Sequence, residues 1–341
     1  MNTKSILITV FITIYLGAAL VSILSGEDSN VKNGTSTMQY SKNGVSTNSN
    51  ALNETIELRF IRLFSRKGAE KMEFGGPFSV HIGFDDRIYV ADDLHHNIKV
   101  FDRQGFFIES IGKQGHGPGE FSYLDCAITD SRGKIYVGDS GNNRVQILDA
   151  KGNLLNQIKR WNWYLSGFTN PRYVSIDSDG NLFIADWGNH CIRVFNKDLT
   201  FIKTIGKEGT LDREFKNPIA ILHDKKDNLY VSDFKNHRVQ VFNPQGAFLF
   251  SLGHEGEKIG QLRNPAGLAF DSRGNLFVSE YGNHRIQVFS SKWAPLAVLG
   301  KKGKGRAEFY KPTDIDISKD DHLYVAEFGN HRIQLLTIEI E

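Results

Sequence analysis

The sequence predicts an all-β chain that forms a six-bladed β-propeller of four-stranded blades. A motif recurs with its leading acid at positions 92, 139, 186, 233, 280 and 327, a step of 47 residues each time. A fixed period of this size is typical of stacked units such as propeller blades. Each unit also contains four short apolar stretches between turn residues, with no helical periodicity. Finally, residues 60–341 number 282, which six units of 47 fill completely.

Composition excludes some classes of function. With 341 residues, 40% of them hydrophobic, the chain can bury a full core. A net charge of +2 gives no general attraction to nucleic acid or to anionic membranes, so we expect no nucleic-acid partner. Cys126 and Cys191 begin strands of neighbouring blades, beyond the Cα separation of about 7 Å that a disulfide allows. Both are therefore predicted to be free thiols.

Residues 1–25 resemble an export segment. An uncharged run covers residues 6–24, with Lys4 before it and two acidic residues after it. This length nearly spans a hydrocarbon core of about 30 Å, and the charge asymmetry places the rest of the chain outside the cytoplasm. A signal anchor is favoured by the length. A cleavable signal peptide stays open, with Ile23 and Ser25 at positions −3 and −1 of the cleavage site.

Residues 26–56 are predicted to form a disordered linker. Of the 30 residues at 26–55, 18 are Ser, Thr, Asn or Gly. Such a segment cannot bury enough apolar surface to offset its chain entropy. The propeller is therefore predicted at 57–341, tethered to the membrane through the N-terminal helix only, or secreted if the signal is cleaved.

Four strands can be assigned within each repeat. The second strand is typified by residues 276–279, the third by Arg285–Phe289 and the fourth by Phe201–Ile205. The first strand follows a proline in four of the repeats, at Pro171–Ile176, Pro218–His223, Pro265–Phe270 and Pro312–Ile317.

The two ends of the repeat region predict how the ring closes. After the third strand of the last repeat, at 332–336, no fourth strand follows. Residues 59–64 stand 47 positions before the fourth strand of the first repeat, at 106–111. This N-terminal strand is therefore expected to pair with the C-terminal one and to cover its open edge.

The repeated motif has its clearest copy at 280–289. We expect its leading acid, where it is Asp, to accept hydrogen bonds from the backbone of the turn that it opens. Glycines are expected to supply positive φ in this turn, at Gly141, Gly188, Gly282 and Gly329. Equivalent histidines of adjacent blades are separated by at least about 10 Å, so they cannot share one zinc ion and are expected to be structural. They are His190, His237, His284 and His331.

The sequence Asn283-His284-Arg285-Ile286-Gln287-Val288-Phe289, preceded by an acid and a glycine, resembles the NHL repeat. The resemblance covers residues 60–341 in six copies and implies a propeller. NHL propellers serve as binding platforms in ubiquitin-ligase and RNA-binding proteins and in receptor-like ectodomains. A related six-bladed fold is the catalytic unit of the peptide-amidating lyase. The resemblance therefore implies a fold and leaves the function open.

Aromatic residues in the loops predict a contact surface. Loops between strands two and three and loops between blades open on the same face. Trp161, Trp163, Tyr164 and Trp187 should gather there around blades two and three, as contact anchors or as local core.

Polar residues near the start of the first strands predict a second part of this site. They are Asp125, Arg172, Tyr173 and Asp314. These side chains could select a polar ligand, bind a hard cation or pair with one another around the channel.

We expect a non-catalytic, extracytoplasmic binding platform for a protein, peptide or glycan, without a cofactor. The alternative is a metal-dependent lyase or hydrolase using calcium or zinc at the channel mouth. Its metal ligands would come from Asp125, Asp314, His81 and His223. RNA binding is a third interpretation, which export and balanced charge disfavour.

Overall fold

The computed structural model describes residues 39–41, 44–46, 56–64, 73–159 and 167–340. Within them the strands form six four-stranded antiparallel sheets, one for each repeat. First strands of neighbouring sheets contact one another around a ring, and the sixth contacts the first. The fold is therefore the predicted six-bladed propeller, with the first strand of every blade next to the central axis.

Strand bounds follow the step of 47 residues. The first strands are Pro77–Ile82, Leu124–Thr129, Pro171–Ile176, Pro218–His223, Pro265–Phe270 and Pro312–Ile317. The second strands are Ile88–Asp92, Ile135–Asp139, Leu182–Asp186, Leu229–Asp233, Leu276–Glu280 and His322–Glu327. The third strands are Asn97–Phe101, Arg144–Leu148, Cys191–Phe195, Arg238–Phe242, Arg285–Phe289 and Arg332–Ile340. The fourth strands are Phe107–Ile111, Leu154–Ile158, Phe201–Ile205, Phe248–Leu252, Pro295–Leu299 and, in blade 6, Ile56–Phe64.

Short elements complete the described chain. Lys113–Gln114 and Glu120–Phe121 form a small parallel pair before blade 2, and Gln39–Ser41 pairs with Gly44–Ser46. Residues 281–284 form a turn after the second strand of blade 5. The other blades have a 3₁₀ turn at that place, at Asp93–His95, Ser140–Asn142, Trp187–Asn189, Phe234–Asn236 and Phe328–Asn330.

The N-terminal strand closes the ring, as predicted. Ile56–Phe64, the closing strand, pairs antiparallel with Arg332–Ile340, from Ile333 opposite Phe64 to Ile340 opposite Ile56. Both strands are longer than the sequence indicated, because their extra residues pair with each other. Phe64 is fully buried, with its ring centroid 5.7 Å from that of Phe101 in blade 1 and 5.8 Å from that of Tyr324 in blade 6.

The hydrophobic core lies between the blades. Six buried apolar clusters each combine residues from two neighbouring blades, including one between blades 6 and 1. One apolar position before each first strand is buried in every repeat, at Phe74, Phe121, Phe168, Phe215, Leu262 and Phe309. Because every blade is covered on both faces, its central strands are buried on both sides. The third strands also bury a glutamine in four blades, at Gln146, Gln240, Gln287 and Gln334.

The leading acid of each motif bonds to a different partner from the one expected. Its carboxylate accepts from a backbone N–H seventeen residues earlier, in the loop that precedes the first strand. Examples are Asp139 with Ser122 N at 2.8 Å and Asp186 with Thr169 N at 2.8 Å. None of these acids caps its own turn where a cap is described. The acid thus ties the start of the first strand to the end of the second.

The motif glycines serve close approach rather than positive φ, so that prediction was wrong. The left-handed residue is the Asn or His two positions after the glycine, such as Asn143 at φ 51° and His190 at φ 54°. A Cβ at Gly141 would lie 2.3 Å from Ser122 O, and a Cβ at Gly188 2.7 Å from Thr169 O. Glycine is needed because its backbone N–H donates to that same carbonyl.

Motif histidines connect adjacent blades. Nδ1 of His190 accepts from the backbone N–H of Asn217 at 3.0 Å, and Nδ1 of His237 accepts from Asn264 at 3.0 Å. His284 makes the same bond with Lys311 at 3.1 Å. These donors precede the first strand of the next blade, so the three histidines have a structural role.

Cys126 and Cys191 are both free and buried, as predicted. No helix in the described part of the chain is long and apolar enough to cross a membrane. The hydrophobic run at 6–24 lies outside the described residues, as does most of the predicted linker at 26–56. The predicted domain boundaries therefore stay predictions on the N-terminal side.

Candidate functional site at the channel mouth

A cavity of 590 Å³ occupies the mouth of the central channel, on the face that carries the loops between strands two and three. One residue of every blade lines it directly after the leading acid of the motif. We call these six residues the loop ring: Asp93, Ser140, Trp187, Phe234, Tyr281 and Phe328. They stand 47 residues apart, so the propeller symmetry brings all six together.

A second set of six residues lines the same cavity from the first strands. We call it the strand ring: Phe78, Asp125, Arg172, Ile219, Ala266 and Thr313. Each lies next to the initial Pro or Leu of its strand, where the register with the second strand shifts. A β-bulge leaves a residue out of the ladder and re-aims its side chain, and bulges recur beside functional sites.

The two rings divide the mouth into a polar and an apolar half. Blades 1 to 3 contribute Asp93, Asp125, Ser140 and Arg172, whereas blades 4 to 6 contribute Phe234, Tyr281, Phe328, Ile219, Ala266 and Thr313. Trp187 and Phe78 stand where the halves meet, and the guanidinium of Arg172 lies over both rings, 4.5 Å and 5.4 Å from their centroids. Lys235 also lines the cavity in the second half, with its Nζ 5.5 Å from the centroid of the Phe234 ring. The two rings thus suit a ligand with one polar and one apolar side.

Charges in the polar half are incompletely paired. Arg172 Nε lies 3.7 Å from Asp125 Oδ2, which is an ion pair but too long for a hydrogen bond. Asp93 and Asp125 are only 8% and 4% exposed. Four buried atoms here make no hydrogen bond with any described residue: Asp93 Oδ1, Asp125 Oδ2, Arg172 Nε and Trp187 Nε1. Orphaned buried polar atoms are uncommon in native proteins, and their convergence at one cavity points to a site.

Burial and a neighbouring carboxylate raise the pKa of Asp93 to about 7. Burial also raises the pKa of Asp125, against the opposing effect of the Arg172 guanidinium. A carboxyl group that loses its proton near neutral pH, inside a cleft, marks a candidate functional residue.

Asp93→Asn is expected to remove a loss of stability that the native protein shows as pH rises. The folded-state pKa of about 7 exceeds the ordinary 3.8, so the folded protein holds the Asp93 proton where the unfolded chain has released it. Stability from this group is therefore present below pH 4 and lost between about pH 4 and 7. Between pH 4 and pH 8, the free energy of unfolding of the variant should therefore increase by about 2–4 kcal/mol relative to that of the native protein.

Denaturant unfolding at pH 4, 6 and 8 measures this effect. Asp198, which is exposed, supplies the matched control Asp198→Asn, with no change in pH dependence expected. Equal loss of stability in the native protein and Asp93→Asn between pH 4 and 8 would show that Asp93 ionises as an ordinary exposed acid.

The structure separates the predicted polar set into two pairs. Asp125 and Arg172 line the mouth, whereas Asp314 and Tyr173 do not. The Tyr173 hydroxyl donates to the Asp314 carboxylate at 3.3 Å, and Asp314 Oδ2 also accepts from Val80 N at 3.2 Å. Asp314 is buried against Gly267, where a Cβ would lie 2.6 Å from Asp314 Cα. This second pair ties blades 1, 3 and 6 together around the axis.

Among the predicted aromatic anchors, Trp187 lines the mouth. Trp161, Trp163 and Tyr164 lie outside the described residues. The sequence places Asp93 at the same motif position as Trp187, but the predicted site did not include Asp93. The available signal was the ring itself, since reading every 47th residue from 93 reveals two polar and four aromatic residues.

The histidines of the metal-dependent alternative bond to neighbouring blades. His81 Nε2 lies 3.2 Å from Thr129 Oγ1, and His223 Nδ1 lies 2.8 Å from Ser175 Oγ. Neither lines the mouth cavity. Across the described residues, no group of three or more His, Cys, Asp or Glu side chains is arranged to hold a metal ion.

Comparison with solved structures shows the fold. A virginiamycin B lyase from Staphylococcus aureus superposes with a TM-score of 0.57 at 13% identity, covering 83% of this chain and 99% of that one. A gluconolactonase from Xanthomonas campestris gives 0.62 at 11% identity, with 91% and 99% covered. An auxiliary nutrient binding protein from Bacteroides thetaiotaomicron gives 0.63 at 12% identity, with 86% and 79% covered. No curated protein sequence matches this chain significantly.

Two family models match the sequence. One, described as a 6-bladed beta-propeller, matches residues 29–170. The other, described as the NHL repeat, matches residues 168–195, 215–242, 262–289 and 309–334. These four segments run from just before the first strand to the third strand of blades 3 to 6. The chain therefore contains NHL repeats, and its repeats form a six-bladed β-propeller.

Proposed function

We propose that the propeller is a non-catalytic binding platform that receives part of a peptide, protein or glycan ligand in the channel mouth. The observation that supports this most directly is the set of four buried polar atoms without a hydrogen bond at a cavity with aromatic walls. Binding sites are typically concave, mostly apolar, and furnished with a few convergent polar groups. The volume of 590 Å³ suits one side chain or one sugar ring with its neighbours.

The two halves of the mouth would have different roles. Rings of Trp187, Phe234, Tyr281 and Phe328 provide apolar area at a low entropic cost, which suits contact anchors. Arg172 already lies against two rings, so its guanidinium is held in place before a ligand arrives. Arg172, Asp93 and Asp125 would therefore select the polar side of the ligand.

The proposal also includes the three predicted aromatic anchors that lie outside the described residues. Trp161, Trp163 and Tyr164 stand in the connection from blade 2 to blade 3. Equivalent connections supply Tyr123 before blade 2 and Asn264 before blade 5 to the cavity wall. We propose that the three aromatic residues extend the contact surface beyond the mouth.

Localisation is also part of the proposal. The uncharged run at 6–24 and the polar segment after it support a propeller tethered outside the cytoplasm. Such a position suits recognition of an extracytoplasmic ligand, and we propose no nucleic-acid partner.

The related structures include enzymes and a nutrient-binding protein, so the fold alone does not choose between catalysis and binding. The metal-dependent lyase or hydrolase was predicted with Asp125, Asp314, His81 and His223. Only Asp125 of these lines the mouth. The described residues thus support binding over this alternative.

Trp187→Ala is expected to weaken binding of the ligands selected by the full-length protein on peptide and glycan arrays by at least tenfold. Truncating a central aromatic anchor removes much of the apolar contact of an interface. The matched control is Trp293→Ala, because Trp293 packs on Tyr230 and Phe250 and does not line the mouth. Affinities should be measured by isothermal titration calorimetry, with melting curves for both variants. Unchanged affinity in a folded Trp187→Ala protein would contradict a binding site at the mouth.

A further inference from the structure

The charges of the polar half are unbalanced when both carboxylates are ionised. Asp93 and Asp125 face one guanidinium, that of Arg172, so these three groups carry a net charge of −1. A second cation, Lys235, lines the cavity on the blade 4 side, next to Phe234. A buried charge without a partner is costly, and proteins resolve it by pairing or by taking up a proton. Without a ligand, uptake of a proton by Asp93 removes the excess charge, in agreement with its raised pKa of about 7. A bound monovalent cation would remove it by pairing instead.

The cation must be compatible with the apolar half of the mouth. Rings of Phe234 and Tyr281 pack edge to face, with centroids 5.8 Å apart, and Phe328 packs similarly on Phe78 at 6.4 Å. A hydrated inorganic ion would gain little from these walls, whereas an alkyl chain would bury apolar area on them. Aromatic rings also attract an ammonium group through their π faces.

From these observations we infer that the channel mouth binds a primary ammonium group carried on an apolar chain, as in a lysine side chain. The inference rests on the proposed function and names the chemistry of the ligand at that site. The ammonium group donates hydrogen bonds to the carboxyl groups of Asp93 and Asp125, and its chain lies along the rings of blades 4 to 6. The terminal torsion of a carboxyl group is soft, so rotation turns the unpartnered oxygens toward the ligand.

Binding should depend on pH because the ammonium group and a proton compete for Asp93. Three other charged groups act on this carboxyl group: Asp125 and Asp92 raise its pKa, and Arg172 lowers it. Lys235 lines the same cavity from blade 4. Asp92 bonds to His95 at 2.7 Å and lies 3.4 Å from Lys99, so it is already paired. Affinity should increase about tenfold for each unit by which the pH rises toward 7, and it should level off above pH 7.

The test is calorimetric titration of the full-length protein with Nα-acetyl-lysine methylamide between pH 5.5 and 8.5. Its Nε-acetyl derivative has the same chain without the charge and is expected to bind at least tenfold more weakly at pH 8. Asp93→Asn should lower the affinity for the charged probe at least tenfold at pH 8 and abolish its pH dependence. The exposed control Asp198→Asn should change neither.

A third probe, n-butylammonium, distinguishes two sources of the same chemistry. Tighter binding of the lysine derivative identifies a peptide or protein lysine, whereas equal affinity identifies a free amine. Equal binding of charged and neutral lysine derivatives would overturn the ammonium assignment and leave the binding platform intact. If neither derivative binds, the ammonium assignment also fails. The Trp187→Ala array experiment then decides separately whether the mouth binds any ligand.

Discussion

Removal of residues 57–66 is expected to leave the chain without a stable, monomeric propeller. The deletion takes away almost all of the closing strand, which is the fourth strand of blade 6. It exposes the edge of Arg332–Ile340 and opens the buried cluster between blades 6 and 1. An exposed strand edge beside apolar surface promotes aggregation. Size-exclusion chromatography and thermal melting by circular dichroism measure the result.

Two smaller changes make this prediction specific. Phe64→Ala removes a fully buried ring from the closing strand and should destabilise the protein by about 3–5 kcal/mol. Leu63→Ala is the matched control, because Leu63 is 40% exposed on the opposite face and should change stability by less than about 1 kcal/mol. A deletion of 47–55, just before the closing strand, should preserve the melting transition. A 57–66 deletion that melts like the intact protein would show that the ring is stable without this strand.

The fold could be predicted because the period of 47 residues has no insertion between 74 and 309. Phe74, Phe121 and Phe309 are the same buried position in three blades, so a single alignment places every strand. Closure also followed from the alignment, since residues 59–64 occupy the place of a fourth strand. Repetition of this kind converts a weak strand signal in one unit into a strong one across six.

Bonding partners across the blade could not be predicted in the same way. The bond from Ser122 N to Asp139 joins residues seventeen positions apart, and it depends on how the first and second strands pair. Local turn chemistry suggested instead that the acid binds its own turn. Gly141 was misread for the same reason, because the limit on its side chain is set by the carbonyl of Ser122 rather than by its own φ.

Some of the residues that line the mouth could be predicted from the sequence repeat, and others could not. Asp125, Arg172 and Trp187 were expected at one face of the ring, and all three line the cavity. Asp93 stands on the same face, but it was not chosen as a site residue, because the prediction for that face relied on its aromatic residues. Asp314 was expected near Asp125, but it lies one residue after Thr313, the member of the strand ring in blade 6. A shift of one residue at the bulge therefore decides whether a side chain lines the mouth.

Arg144→Met is expected to destabilise the propeller by about 3–5 kcal/mol, more than a typical single substitution. Arg144 is 1% exposed, and its Nε donates to the Asp139 carboxylate at 2.5 Å. Its terminal nitrogens donate to the carbonyl groups of His116, Gly117 and Glu120, at 2.7–3.0 Å. Loss of the guanidinium leaves a fully buried carboxylate without its cation and three carbonyl oxygens short of a donor.

A double-mutant cycle separates the ion pair from simple loss of packing. Asp139→Asn combined with Arg144→Met removes the buried charge as well as its partner, so the double variant should be more stable than Arg144→Met alone. In blade 3 the cation comes from a different position. Cys191 stands where blade 2 has Arg144, and Arg193 Nε donates to Asp186 at 3.1 Å instead. Denaturant unfolding gives the free energies. A loss below about 1 kcal/mol for Arg144→Met would mean that water can enter and solvate Asp139, and that the Asp139–Arg144 ion pair contributes specificity rather than stability.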